Sequence, residues 1–193
     1  MQSATLVHDT ATYTTTGMRF LNVNSGREER AGSGGDAYDP LLHVTFNTTS
    51  HVLHTGVGEA FPPATVAVHP AQTRLAVVGW KSPITGVVAV SGNSGVKDLN
   101  ASCGNGINWD IQLKTHSLAH GAFPNGGAQL FSAGVGGSAL AHIAVHRGDV
   151  LYFVVDPNVD YSCDLTELDV TIQRDLRHGW RHADHRGRGL APS

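Results

Sequence analysis

Short apolar runs and alternating runs recur along this chain from Leu41 onward, and turn residues separate them. The clearest alternation lies at 107–113, where apolar side chains take the odd positions and Asn108, Asp110 and Gln112 take the even ones. Successive side chains of a strand point to opposite faces. The segment therefore predicts a strand with one face toward a core and the other toward water.

A continuous apolar run at 150–155 predicts a second kind of strand, one that is buried on both faces. It follows the turn Arg147-Gly148-Asp149 and ends at Asp156-Pro157-Asn158. A further alternating run, 165–172, predicts the last strand of the pattern. Such strands with turns every 8 to 12 residues, and without a convincing helix, are typical of sandwiches and barrels. We predict an all-β fold, a jelly-roll β-sandwich of two antiparallel sheets in a single domain.

The domain is expected to span residues 1–173, of which 1–40 are only weakly patterned. Residues 174–193 are rich in Arg and His and predict a C-terminal tail or linker. In a helical tail His178, His182 and His185 would share one face and could bind a metal ion. The glycines among them favour a simple basic tail instead.

Composition narrows the class of protein. Of 193 residues, 15% are charged, below the usual quarter, and 23 are Gly, which favours a secreted all-β domain over a cytosolic helical one. A net charge of -3 gives no attraction for nucleic acid. No apolar run reaches the roughly 20 residues that membrane insertion needs. The start, Met1-Gln2-Ser3, lacks the features of a signal peptide, so we expect a processed or cloned fragment of a secreted, extracellular protein.

The two cysteines, Cys103 and Cys163, both lie in turn-rich segments beside predicted strands. This placement favours a disulfide over two unrelated thiols, and with it an oxidising compartment. In the chain-entropy description such a bond would stabilise the fold by on the order of 4 kcal/mol.

Three segments resemble a known family: Trp80–Val88 with its Lys-Ser-Pro-Ile-Thr-Gly turn, Asn105–Trp109, and Gly148–Asp156. Together they resemble β-sandwich modules of bacterial secreted proteins, of the carbohydrate-binding and galactose-binding-like kinds. The resemblance covers roughly residues 65–173. It implies a non-catalytic role in sugar binding or adhesion, and we expect a module that binds a soluble or matrix glycan, a polysaccharide among them. It transfers no binding residue, because the motifs are structural turns.

Oxygen-bearing side chains cluster after the run at 150–155. Asp156, Asn158, Asp160 and Asp164 could supply the six to eight oxygen ligands that Ca²⁺ prefers. The spacing is not that of an EF-hand, and an ordinary turn at Asp156-Pro157-Asn158 is the alternative interpretation. We therefore keep calcium as the one cofactor that the sequence suggests.

Loops at the end of a sandwich carry function more often than its strands. Tyr161, Asp160 and Asn158 are accordingly the predicted glycan-binding residues, with Tyr38 and Phe123 as further aromatic side chains in loops. The two tryptophans of the central strands are expected in the core.

Two other functions remain open from the sequence. The first is a structural or adhesive extracellular domain that makes protein–protein contacts in an assembly, including a homo-oligomer. The second is a jelly-roll enzyme, such as a lyase or a metal-dependent oxidase that uses the 12 histidines. No Gly-x-Ser-x-Gly frames a nucleophile, and nothing selects a catalytic pair of carboxylates, so we do not expect an enzyme.

Overall fold

A computed structural model describes residues 3–6, 12–14, 21–24, 27–28, 43–46, 51–54, 60–63, 66–71 and 75–175. Tyr38 and the three tail histidines lie outside these ranges, so their predicted roles stay predictions. The described residues contain no helix that is long and apolar enough to cross a membrane.

The described part of the chain is built from short strands and two 3₁₀ helices, Phe131–Ala133 and Gly137–Ala141. The first strands are β1 (Ser3–Leu6), β2 (Thr12–Thr14), β3 (Leu21–Asn24), β4 (Arg27–Glu28), β5 (His43–Phe46), β6 (Leu53–His54), β7 (Ala60–Phe61), β8 (Val66–His69) and β9 (Ala76–Lys81). The remaining strands are β10 (Gly86–Ser91), β11 (Val96–Asp98), β12 (Ile107–Leu113), β13 (His116–Phe123), β14 (Ala128–Gln129), β15 (Ile143–Val145), β16 (Val150–Asp156), β17 (Thr166–Leu168) and β18 (Thr171–Arg174).

One layer is a seven-stranded sheet in the order β13-β12-β16-β9-β1-β3-β4. Its neighbouring strands are antiparallel except for β1 and β9, which are parallel. The predicted strand at 150–155 is thus central, between β12 and β9. Tyr152 is only half-buried, however, so this strand is not fully buried on both faces.

The other layer consists of two sheets, β15-β10-β18-β2 and β14-β11-β17-β8-β5. Two chain segments run through both sheets. One passes from β10 into β11, and the other passes from β17 into β18. A separate two-stranded sheet pairs β6 with β7.

The single strand predicted at 165–172 is wrong, because the chain breaks between β17 and β18. Asp169 lies at this break, where its carboxylate accepts hydrogen bonds from the backbone N–H groups of Asn93, at 2.6 Å, and Ser94, at 2.9 Å. Its own N–H donates to the carbonyl of Gly95 at 2.8 Å. These bonds satisfy backbone groups of the turn between β10 and β11. The break between β10 and β11 therefore lies beside the break between β17 and β18.

The core lies between the two layers. A single cluster of buried side chains combines Trp80, Trp109 and Phe153 of the seven-stranded sheet with Val88 and Ile172 of the facing layer. Both tryptophans are in the core, as expected. Face-to-face packing of two β layers confirms the predicted all-β jelly-roll sandwich, although hydrogen bonding divides the described strands into four sheets rather than two.

Candidate ligand-binding site

The predicted disulfide is present and connects two loops at one end of the sandwich. Cys103 precedes β12 and Cys163 follows β16, with their Cα atoms 5.5 Å apart. In the antiparallel pairing of these strands Asn108 lies opposite Asp156. Both loops therefore leave the seven-stranded sheet at the same end, and the covalent bond joins them there.

The carboxylates of the acidic loop mostly close local turns. Asp156 Oδ1 accepts the backbone N–H of Asn158 at 2.8 Å, and Asp160 Oδ1 accepts that of Ser162 at 3.0 Å. The hydroxyl and N–H of Ser162 lower the pKa of the exposed Asp160 carboxyl. The Asn158 amide oxygen accepts from Asn108 Nδ2 at 3.3 Å, which ties the loop to β12.

Asp164 differs from the other acids of the loop because it is fully buried. Neither of its carboxyl oxygens has a hydrogen-bond partner among the described residues. Burial, followed by repulsion from Asp98, Asp160 and Asp156, raises the pKa of Asp164 to about 8. The side chain is therefore a neutral, protonated acid at pH 7, which lowers the cost of its burial.

A buried carboxyl without partners is the kind of group that Ca²⁺ could satisfy, so the predicted calcium ligands can be tested against the geometry. Within the described ranges, no group of three or more His, Cys, Asp or Glu side chains is arranged to hold a metal ion. One side-chain oxygen of each of Asp156, Asn158 and Asp160 already accepts a hydrogen bond within the protein. The four predicted ligands thus do not form a ready-made calcium site.

The predicted aromatic ligand contacts have different positions. Tyr161 is half-buried in the acidic loop, in agreement with its predicted location there. The loop position predicted for Phe123 is wrong: this residue ends β13, lies opposite Ile107 and is buried in the core cluster. The Asn125-Gly126-Gly127 turn begins only after it, so its ring is not available to a ligand.

A cleft of about 590 Å³ lies on the outer face of the seven-stranded sheet. Its centre is the polar face of β12, where Asn108 lies between Ala122 and Asp156, and Asp110 lies between His120 and Val154. The lining residues are Leu75, Asn108, Trp109, Asp110, Gln112, Ser117, His120, Gly121, Ala122, Val135, Val154 and Asp156. One end of the cleft thus adjoins the loop that the disulfide holds.

Hydrogen bonds hold the polar side chains of the cleft in place. Asp110 accepts from the Ser117 hydroxyl at 2.6 Å and from Gln112 Nε2 at 2.5 Å, one bond to each carboxylate oxygen. A register shift between Ile111 and Gln112 brings Ser117 opposite Gln112. These contacts give the cleft a preformed set of donors and acceptors before any ligand arrives.

The rim of the cleft on the β13 side is also fixed. His120 and Val135 exchange two backbone hydrogen bonds, at 3.0 Å and 2.8 Å. The Val135 side chain is 67% exposed and adds an apolar group to the rim. The cleft therefore combines a fixed polar wall with apolar positions at Leu75, Val135 and Val154.

Of the predicted site residues that the structure describes, only Asp156 lines this cleft, and Asn158 contacts it through Asn108. The other lining side chains were missed as site residues. A signal for three of them was available, because Asn108, Asp110 and Gln112 form the polar half of the clearest alternation. That pattern was interpreted only as a solvent-facing strand.

Comparison with known proteins gives only a likeness to solved structures. No family model matches the chain, and no curated protein matches it. Among solved structures, CBM51 from Clostridium perfringens GH95, in complex with methyl-galactose, has 11% identity and a TM-score of 0.46 over 84% of this chain and 99% of that one.

Two further structures are a Podospora anserina GH26-CBM35 β-(1,4)-mannanase, with 16% identity and a TM-score of 0.35, and a CBM36 module in complex with calcium and xylotriose, with 12% and 0.29. The matches cover 73% and 69% of this chain; they cover 27% of the mannanase and 100% of the CBM36 module. All three are, or contain, carbohydrate-binding modules, in agreement with the resemblance stated from the sequence. At these values they assign no ligand and no residue role to this chain.

Proposed function

We propose that this chain is a non-catalytic module that binds a soluble or matrix glycan in the cleft on the outer face of β12, β13 and β16. The observation that carries the proposal is the preformed polar lining of that cleft. Sugars present hydroxyl groups, which need both donors and acceptors, together with apolar C–H faces. The cleft offers both kinds of surface within a volume suited to a small ligand or a few sugar units.

The polar lining matches a hydroxyl-rich ligand in detail. The amides of Asn108 and Gln112 each donate one N–H within the protein and offer a second donor and an acceptor, and the carboxylates of Asp110 and Asp156 accept. The apolar side chains of Leu75, Val135 and Val154 supply surface for the C–H groups of a ring. Trp109 is the one large aromatic residue among the described residues of this lining, and its side chain is buried in the core. It offers no flat platform, which favours a short soluble segment of glycan over a crystalline surface.

The arrangement supports binding rather than hydrolysis. Glycoside hydrolases use two carboxyl groups, one of which presents a proton to the glycosidic oxygen. Both oxygens of Asp110 already accept hydrogen bonds from Ser117 and Gln112. Asp110 is thereby held as an acceptor that orients neighbouring side chains, and Asp156 is similarly engaged with Asn158.

The proposed location is extracellular, in agreement with the Cys103–Cys163 disulfide. Structural disulfides persist mainly in oxidising compartments. A module that reaches polysaccharide outside a cell is consistent with that setting. Protein partners and a homo-oligomer stay predictions of the sequence.

Glycan-array binding and affinity electrophoresis in polysaccharide gels test the proposal. We expect retention on at least one glycan, and a loss of affinity of about 5- to 10-fold in Asn108→Ala and in Gln112→Ala, since each removes a hydrogen bond worth about 1 kcal/mol or slightly more. Gln173→Ala, an exposed amide on the opposite layer, is the matched control and should bind as the wild type does. No retention of the wild type on any glycan, or unchanged affinity of both cleft variants, would overturn the proposal.

A further inference from the structure

We infer that the cleft selects glycans that carry free, protonated amino groups, of the glucosamine type. This inference rests on the proposed function and names its ligand class. The observation behind it is the charge of the lining. Asp110 and Asp156 are acidic, and among the described residues that line the cleft there is no Lys or Arg.

The two carboxylates lie on the same face of the sheet at neighbouring positions. Asp156 on β16 is opposite Asn108 on β12, and Asp110 is two residues further along β12. Such diagonal neighbours are separated by roughly 7 to 8 Å. An ammonium group on a sugar between them would lie within hydrogen-bonding reach of one carboxylate and within the field of the other.

The engagement of each carboxylate leaves room for this contact. Asp156 Oδ1 accepts from Asn158, and no described residue bonds to its second oxygen. Asp110 accepts one hydrogen bond at each oxygen, and a carboxylate has about four lone-pair sites. A hydroxyl group and an ammonium group can both donate to these carboxylates, but only the ammonium group carries a net charge that both carboxylates attract. An amino sugar therefore gains more from this lining than its hydroxyl counterpart.

The surroundings strengthen the same preference. The disulfide-linked loops beside the cleft add the exposed side chain of Asp160, a further acidic group. A cleft lined by one sign of charge concentrates ligands of the opposite sign. Uronic and sulfated glycans carry negative charge and would be repelled here.

Calorimetric titration with three hexasaccharides isolates the amino group. β-(1,4)-linked oligomers of glucosamine, N-acetylglucosamine and glucose differ only at C2, in an ammonium, an acetamido or a hydroxyl group. We expect the glucosamine oligomer to bind about tenfold more tightly than the other two, which corresponds to about 1.4 kcal/mol, because the two carboxylates attract its ammonium group and exert no such attraction on an acetamido or a hydroxyl group. That advantage should decrease as salt is added, since salt screens charge pairs.

Asp110→Asn and Asp156→Asn keep the shape of the lining and remove its charge. Each should reduce the preference for the glucosamine oligomer by about threefold, since the two carboxylates share the attraction, while changing affinity for the glucose oligomer far less. Glu167→Gln removes a charge from the opposite layer and should leave the preference unchanged. Should a variant fail to fold, the wild type still tests the inference: a glucosamine preference that does not decrease with added salt would contradict it.

The outcomes separate the two proposals. Equal or tighter binding of the glucose, the acetylated or an oligogalacturonate ligand would overturn the amino-sugar inference and leave glycan binding standing. Failure of every glycan on an array, the three oligomers included, would overturn both.

Discussion

Asp164 is a carboxyl side chain held in a buried position that disfavours its charged form. Its backbone is fixed on both sides: Cys163 is held by the disulfide, and the carbonyl of Leu165 accepts from the N–H of Leu99 at 2.7 Å. The side chain is thereby directed inward, toward Asp98. Burial and three neighbouring carboxyls raise its pKa to about 8, so the folded chain retains a proton that the unfolded chain releases.

This proton makes stability depend on pH in a direction that can be worked out. Between about pH 4, where a free Asp titrates, and about pH 8, the folded state binds one more proton than the unfolded state. The Asp164 contribution is fully present below pH 4 and decreases by about 1.4 kcal/mol per pH unit as pH rises toward 8. In Asp164→Asn this contribution is absent. We expect its stability relative to wild type to rise with pH, as measured by urea denaturation from about pH 5 to about pH 8.

Asp160→Asn is the matched control, because the pKa of Asp160 is lowered rather than raised. Its own contribution is present above the unfolded pKa and lost as pH falls, so it does not change over the same range. Because the Asp160 charge also raises the pKa of Asp164, the stability difference between this variant and wild type should rise only close to pH 8, and by much less than in Asp164→Asn. A constant difference between Asp164→Asn and wild type across the range would show that Asp164 is not protonated in the folded chain.

At the scale of elements, β12 and β16 determine both the core and the cleft, and the disulfide holds the two loops at one of their ends. The odd positions of β12 enter the core, and its even positions line the cleft. The loops before β12 and after β16 carry the two cysteines. The position of the acidic loop beside the cleft therefore depends on a covalent bond as well as on strand pairing.

Removal of this bond should lower stability substantially. The double variant Cys103→Ser/Cys163→Ser is expected to unfold with a free energy lower by up to about 4 kcal/mol, because the unfolded chain regains the freedom of a loop that the bond closes over a sequence separation of 60. Urea denaturation of both proteins gives the difference. Reductant should lower the stability of the wild type and have no effect on the double variant; equal stability of both proteins without reductant would contradict the expectation.

The sequence predicts individual strands well where local alternation decides them, as at 107–113. It fails where a distant contact decides. The break at Asp169 depends on hydrogen bonds to residues 93 and 94, which are far away in the chain. Phe123 was placed in a loop because the glycines around it obscure β13. The cleft depends on how β12 is aligned with β13 and with β16. The pattern of apolar and polar residues within one strand does not determine that alignment.

At the scale of the whole molecule, acidic groups gather at the disulfide end of the sandwich, where Asp98, Asp160 and Asp156 raise the pKa of Asp164. The calcium predicted there from the sequence can be tested on the complete chain. If Ca²⁺ binds through an ionised Asp164, saturating Ca²⁺ should raise the melting temperature of wild type, since a ligand at 100 times its Kd adds about 2.7 kcal/mol. Differential scanning calorimetry with Ca²⁺ and with chelator measures this effect.

Asp164→Asn is the comparison variant for this test, because it should lose the rise while retaining the fold. Equal melting temperatures of wild type in Ca²⁺ and in chelator would contradict the calcium prediction. This result would agree with the lack of an assembled ligand group in the described residues.

The disulfide also has a consequence for a chain under mechanical load. If the protein is pulled from its two ends, force passes through the Cys103–Cys163 bond and bypasses the segment between them, so roughly 200 Å of contour length cannot extend. Every lining residue of the cleft except Leu75 belongs to that protected segment. The extended lengths measured by single-molecule stretching in oxidising and in reducing buffer should therefore differ by this amount. A glycan held in the cleft would be bound mainly to a segment that carries no tension while the disulfide is intact.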